Sequence, residues 1–291
     1  MSIVNKEFQE WVLDDLKDYE SISHPVKASL LERVLVKKID KEKLHPNPKD
    51  EFSDPEIGPN YEIVKKYFDE ITFSLTHVSA PDMDPLIVEK MSVGGYMILN
   101  GHHRWLAAKR ANKFKKVPID IVNVSQESDI IDAVNRSDNK LCISIDLDEV
   151  LMCNGTDYPA DMELIFPFNI FLPGKIRKNA PYMIKELQKN GFDVWVYTGS
   201  YKSVQYIDRF LRMHKINVQG IINGMKTKKV SGNMMNAFKE KYKTIVHLDN
   251  DSVLIVKPEN REFDTYELNN GSEWANDTVV KIKEWLAANN Q

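Results

Sequence analysis

From Leu141 onward, apolar and polar positions alternate between two rhythms. LCISIDL, FDVWVYT, NVQGIIN, TIVHLDN and FDTYEL are short runs rich in β-branched and aromatic residues, the composition of strands. Between them PYMIKELQKN, YKSVQYIDRFLRMH and the stretch around NMMNAFKEKY repeat apolar residues every three or four positions, as a helix burying one face does. DTVVKIKEWLAA follows as a last helix. Strands alternating with helices predict a parallel sheet covered on both faces. The punctuation agrees: Pro181 stands at a first helical position, Gly191 just past that helix, and Ser200 where it would cap the next one.

The first half has a different rhythm. Residues up to about position thirty read as helix, with Phe8, Trp11, Val12 and Leu16 at helical spacing. VLVKKI reads as a strand and HPNPKDEFSDPEIGPN as a proline-rich loop. YEIVKKYFDEI reads as a helix, and LIVEK and GYMILN as strands flanking the Gly94-Gly95 turn. WLAAKRAN has the composition of a good helix, and VPIDIV returns to strand. This mixed α+β unit is followed by the polar ESDIIDAVNRSDNK, which places a boundary near Ser137. Three segments result: a helical extension over 1–32, an α+β domain over 33–137 and an α/β domain over 138–291.

A length of 291 residues suits two cores, and 42% hydrophobic with 28% charged residues is ordinary for a globular protein. The net charge of -4 gives no global attraction to a polyanion. Cys142 and Cys153 are too few for a disulfide framework. The opening residues lack a basic stretch followed by an apolar one, and no apolar run is long enough to span a bilayer. The expectation is a cytoplasmic protein without a membrane partner.

In an open parallel sheet, ligands gather outside the carboxyl ends of the strands. Here those ends are Asp146-Leu147-Asp148, Thr198-Gly199 and Asp249-Asn250-Asp251. Carboxylates gathered at one edge repel unless a cation joins them, and a hard oxygen set suits Mg²⁺. One carboxylate could then attack phosphorus while another protonates the leaving oxygen. The residues ISIDLDEVL, VWVYTGS and HLDNDS, in this order and at strand ends, resemble the motifs of the haloacid dehalogenase (HAD) superfamily. The resemblance implies a Rossmannoid parallel sheet with a minimal cap. It makes Asp146 the nucleophile, Asp148 the acid/base and Thr198 a phosphoryl-binding residue. Asp146, Asp148, Asp249 and Asp251 become ligands of Mg²⁺. It also implies a lysine before the last motif, for which GMKTKKV offers Lys226, Lys228 and Lys229, with Lys228 favoured. An acid/base at Asp148 points to a phosphatase rather than a dehalogenase. ELIFPFNIFLP forms either a small flap or packing.

NGHHRWLAAKRA sets a glycine and potential cations before a helix, a phosphate-binding arrangement: Gly101 permits close backbone approach and Arg104 offers a forked donor. With KIDKEKLHPNP, LIVEK and VPIDIV around it, residues 33–125 resemble the ParB/sulfiredoxin-like fold, GHHR being nearest to the free-serine kinases. The resemblance implies that Asn100, Gly101, His102, His103 and Arg104 hold the phosphates of ATP or ADP. Those kinases carry Asp where Asn100 stands; Asp50, Glu51 or Glu56 could compensate. His102 replaces the sulfiredoxin cysteine, which excludes sulfinic acid repair. KRANKFKKV could meet nucleic acid phosphates or be a solvated helix face.

Together these features point to a two-domain phosphoryl-transfer enzyme: a Mg²⁺-dependent phosphatase preceded by a nucleotide-binding domain, itself a candidate kinase. The partners expected are a nucleotide and a phosphorylated substrate, either a small molecule or a nucleic-acid end. The alternatives are a nucleic-acid end-processing phosphatase and a nucleotide-gated regulatory protein.

Overall fold

The computed structural model describes residues 23–77, 83–111, 114–153, 158–161, 163–224, 232–249, 252–257, 262–268 and 271–289. The helix expected around Phe8 to Leu16 therefore lies outside the described residues. The chain forms two compact units, Met1–Asn123 and Val124–Gln291.

In the first unit, helix α1 (Leu30–Leu35) begins at Ser29, whose hydroxyl accepts the Glu32 amide. Strands β1 (Lys38–Asp40), β2 (Leu44–His45), β3 (Leu86–Lys90), β4 (Tyr96–Asn100) and β5 (Lys116–Ile121) form a sheet in the order β1-β5-β3-β4-β2. Parallel and antiparallel neighbours mix: β5 and β2 run parallel to β3 and β4 respectively, while β1/β5 and β3/β4 are antiparallel. Helices α2 (Tyr61–His77) and α3 (His102–Ala111) complete the unit. Its core joins Leu86, Val88, Ile98 and Ile119 of the sheet to Val64, Trp105 and Ala108 of these helices. The strand expected over VLVKKI is divided, because the Ser29 cap starts a helix that runs through Leu35 and leaves only Lys38–Asp40 to the sheet.

The second unit begins with α4 (Glu127–Arg136). Its sheet contains β6 (Leu141–Asp146), β9 (Phe192–Thr198), β10 (Gly220–Asn223), β11 (Thr244–Asp249), β12 (Ser252–Lys257) and β13 (Glu262–Glu267), in the order β10-β9-β6-β11-β12-β13. The first four strands are parallel. The last two turn back antiparallel, so the sheet is mixed rather than wholly parallel. SVLIVK, not recognised as a strand, supplies β12; its apolar run follows the aspartates too closely to show a connection between strands.

Helices cover both faces, as the alternation predicts. On one face α4 and α8 (Gly232–Lys241) bury Ile130, Val134, Met234 and Phe238 against Cys142, Trp195 and Ile245. On the other, α6 (Ala180–Lys189), α7 (Val204–Met213) and α9 (Trp274–Asn289) bury Met183, Leu187, Phe210, Trp274 and Ile282 against Ile143, Ile145, Val194 and Val246. The polar segment read as the close of the first domain is thus α4, packed on α8. Pro181 lies in the first turn of α6, and Gly191 follows it with φ +82°. The N-cap of α7 is Ser203 rather than Ser200.

After β6 the chain makes one π-type turn, Leu147–Leu151, and then a hairpin of β7 (Met152–Cys153) and β8 (Lys175–Ile176). The tip between them holds a short helix α5 (Phe168–Phe171). Among the described residues of the tip only Leu172 is buried; Ile165, Phe166, Ile170 and Phe171 are exposed. The packing reading of ELIFPFNIFLP therefore holds for its two ends, where buried Leu172 and half-buried Leu164 meet the core, and not for its middle.

Candidate functional site

Strand β6 is the pivot of the second sheet: the chain winds from it through β9 to β10, then crosses back to β11 on its other side. Helices at such a reversal diverge from the strand ends and open a crevice. Register fixes what faces it. Asp146 pairs with Tyr197, and Leu248 with Ile145, so Thr198 and Asp249 stand one residue beyond on the flanking strands. Neighbouring strands lie about 4.8 Å apart.

Asp146 is buried and caps the π-type turn, its Oδ1 accepting the Glu149 amide at 2.7 Å. Burial pushes its carboxyl above the usual carboxylate range. Amide donors from Glu149 and Asp148 pull it back, and the charges of Asp148 and Glu149 push it up again. Asp148 is held from two sides: the Thr198 hydroxyl donates to Oδ2, and the Lys202 ammonium lies 3.6 Å from Oδ1. Thr198 Oγ1 in turn accepts the Ser200 amide at 2.9 Å. Tyr197 hydrogen-bonds Asp249, and burial together with the charges of Asp249 and Asp146 drives its phenol well above its ordinary value. One layer below, Ser144 and His247 meet at 2.6 Å, and burial lowers the imidazole.

The expected constellation is therefore brought together in part: Asp146, Asp148, Thr198 and Asp249 share one sheet edge. Lys226, Lys228, Lys229 and Asp251 lie outside the described residues. Among the described residues no three His, Cys, Asp or Glu side chains converge as a metal site. Asp148 is turned toward Thr198 and Lys202, and Asp249 toward Tyr197. The donor set still fits a hard cation. Asp146 and Asp249 end adjacent strands, and their oxygen donors are of the kind Mg²⁺ takes; the carboxyl of Asp146 is raised chiefly by burial.

In the first unit, β4 ends at exposed Asn100, and Gly101 makes the turn into α3 with φ +101°. A Cβ there would lie 2.7 Å from Leu86 Cδ2, so glycine is required by both conformation and space. Arg104 Nη1 donates to the Asp84 carbonyl at 3.0 Å, and Nη2 lies 3.5 Å from Asn100 Oδ1. His102 is buried, and its Nε2 accepts the Asn47 amide at 3.1 Å. His103 Nε2 accepts the Asn60 amide at 3.0 Å, and burial lowers its ring. Phe52 stacks on His102 and meets His103 edge-on.

Residues 31–137 match the family model of the ParB N-terminal domain. No curated protein and no solved structure matches the chain. Within this ParB-like part the histidines of GHHR act as acceptors for backbone amides, and neither is the cation that the motif suggested. They fasten both ends of the 47–60 loop to α3. Glu51 is exposed on a short 3₁₀ turn, Glu51–Ser53, whose buried Phe52 holds that loop against the histidines. Asp50 caps this turn and lies 3.8 Å from His102 Nδ1. The ParB match also runs past Asn123, where the compact unit closes, and takes in α4.

Sequence reasoning missed Lys202, Tyr197 and Asn223. Tyr197 could have been found, since it precedes Thr198 and faces the side of the sheet shared by Asp146. Lys202 and Asn223 carried no local signal; the turn after β9 brings Lys202 to Asp148, and Asn223 holds that turn through the Lys202 carbonyl. No helix among the described residues is long and apolar enough to cross a membrane.

Proposed function

We propose that the second unit is a Mg²⁺-dependent phosphohydrolase of HAD type and that the ParB-like part binds a nucleotide, ATP or ADP. The observation that carries the first half is the placement of Asp146 and Asp148 at the strand reversal, one buried and raised, the other held by Thr198 and Lys202. These two carboxyl groups have environments different enough for two roles.

In this reading Asp146 attacks phosphorus, and the bond to the ester oxygen breaks. Asp148 gives its proton to that leaving oxygen, so the alcohol departs neutral. Asp148 then takes a proton from water as the water oxygen attacks the phosphoryl group on Asp146, releasing inorganic phosphate and restoring both carboxyl groups. Thr198 orients Asp148 and donates to a phosphoryl oxygen when substrate displaces the present contact. Mg²⁺, held by Asp146, Asp249 and Asp251, would neutralise charge on the phosphoryl oxygens and on Asp146. Purified protein with Mg²⁺ is expected to release phosphate from a panel of phosphoamino acids, nucleotides and end-phosphorylated oligonucleotides. Asp146→Asn should lower that release by about a thousandfold or more, as loss of a nucleophile does. Silence of the wild type on every substrate would sink the reading.

The ParB match favours a second possibility, that the first unit grips nucleic acid and the second trims phosphorylated ends. Oligonucleotide binding that weakens steeply between low and moderate salt supports it, and absence of binding at low salt removes it.

A further inference from the structure

The loop between β9 and α7 is pinned from beneath. Asn223 on β10 is 1% exposed; its Nδ2 donates to the Lys202 carbonyl, and its Oδ1 accepts the Ser125 amide at 2.7 Å and the Ser125 hydroxyl at 2.8 Å. The Gly224 amide lies 3.2 Å from both the Thr198 and Ser200 carbonyls. Gly224 has φ +67°, and a Cβ on it would meet the Tyr201 ring at 2.8 Å. A buried side-chain amide is costly unless satisfied, and that of Asn223 fixes the backbone of a half-buried turn. What that turn presents is Lys202, its ammonium 3.6 Å from Asp148 Oδ1.

The proposal that follows rests on the phosphohydrolase reading and deepens it. In an in-line displacement the nucleophile and the leaving oxygen lie on opposite sides of phosphorus. The nucleophile in that reading is Asp146, and the acid that serves the leaving oxygen is Asp148. Lys202 approaches Asp148, the group that protonates the leaving oxygen, and so stands on the leaving-group side. We propose that Lys202 is a specificity residue that binds a negative charge carried by the leaving group itself, which selects phosphomonoesters bearing a second phosphate close to the scissile one. That chemistry occurs both in nucleoside bisphosphates and at oligonucleotide ends.

The test compares kcat/KM with Mg²⁺ for phenyl phosphate, a nucleoside 3′,5′-bisphosphate and a 5′-phosphorylated dinucleotide, in wild type, Lys202→Met and Lys202→Arg. The wild type should prefer the two anionic-leaving-group esters. Lys202→Met should reduce that preference by about tenfold to a hundredfold, chiefly through KM, as loss of one charged hydrogen bond does. Lys202→Arg should restore part of it. Whichever anionic ester loses more identifies the source of the second phosphate. A loss shared equally by phenyl phosphate, or an unchanged preference, overturns the proposal. Should the wild type release phosphate from none of the three, the phosphohydrolase reading fails, and equilibrium binding of the bisphosphate decides on Lys202 alone. Weaker binding to Asp146→Asn/Lys202→Met than to Asp146→Asn retains the anion site, and equal binding removes it.

Discussion

At the scale of single residues, Asp146 carries a cost that the fold tolerates. An acid raised by burial holds its proton more tightly when folded than when unfolded, so its charged form works against folding. That penalty is absent below the unfolded pKa near 3.9 and reaches its full size above the folded value. Asp146→Asn should therefore melt at a higher temperature than the wild type at neutral pH, by about 2–4 °C for each kcal/mol removed. The difference should shrink toward pH 4, and thermal melts across that range would check it. An equal or lower melting temperature at neutral pH would mean that the carboxylate is stabilised by contacts other than those described. His247 has the opposite sign. Burial lowers its ring, so the unfolded chain takes up a proton first, and the stability it contributes, intact above the unfolded value near 6.5, drains away as pH falls through the folded value. His247→Asn should flatten the pH dependence of stability below pH 6.5, although His103 and His214, lowered in the same way, will keep it from vanishing.

At the scale of elements, the strand-to-helix turn at Gly101 shows where reading from sequence succeeded and where it stopped. The glycine, the strand before it and the helix after it were legible, because backbone conformation and local composition dictate them. The roles of the histidines were not, because their partners, Asn47 and Asn60, lie in a proline-rich loop with no periodicity to place it. Leaving a buried amide without an acceptor costs about 1–3 kcal/mol. The Asn47 amide is half-buried, so His102→Leu should speed its hydrogen exchange by about tenfold, whereas Asn60 is exposed and His103→Leu should speed exchange there by less, since water can replace the lost acceptor. Unchanged exchange in both would show that the loop is held by Phe52 alone. The same limit explains α1: the β-branched letters of VLVKKI read as a strand, and the cap at Ser29 that starts the helix was not recognised.

At the scale of the whole molecule, periodicity gave the alternation of strands and helices but not the packing of the segment that precedes it; the ParB match ends at 137, whereas the compact units divide after Asn123. ESDIIDAVNRSDNK looks like a linker because its apolar residues are few. Ile130 and Val134 are nevertheless buried beside Trp195, Phe238 and Tyr242, and burying such side chains is worth about 1.5–3 kcal/mol each. Beyond α4, Asn139 donates to Asp193 at 2.7 Å, and Tyr242 donates to the same carboxylate at 2.7 Å. A chain beginning at Val124 is expected to melt cooperatively. One beginning at Asp138 should melt lower or aggregate, with its Trp195 face open. Equal melting of the two would favour the boundary near Ser137 over the one after Asn123.

Asp146, Thr198 and Asp249 belong to strands far apart in the sequence, and the sheet sets the first between the other two. No fragment of the chain and no local turn can rehearse that arrangement. During refolding, loops must close over β9 and then over β11 before the carboxylates meet, and long closures are slow relative to helix formation. Helical signal should therefore return before the metal and phosphate binding proposed for this edge, and recovery of the proposed activity would act as a clock for the last strand to dock.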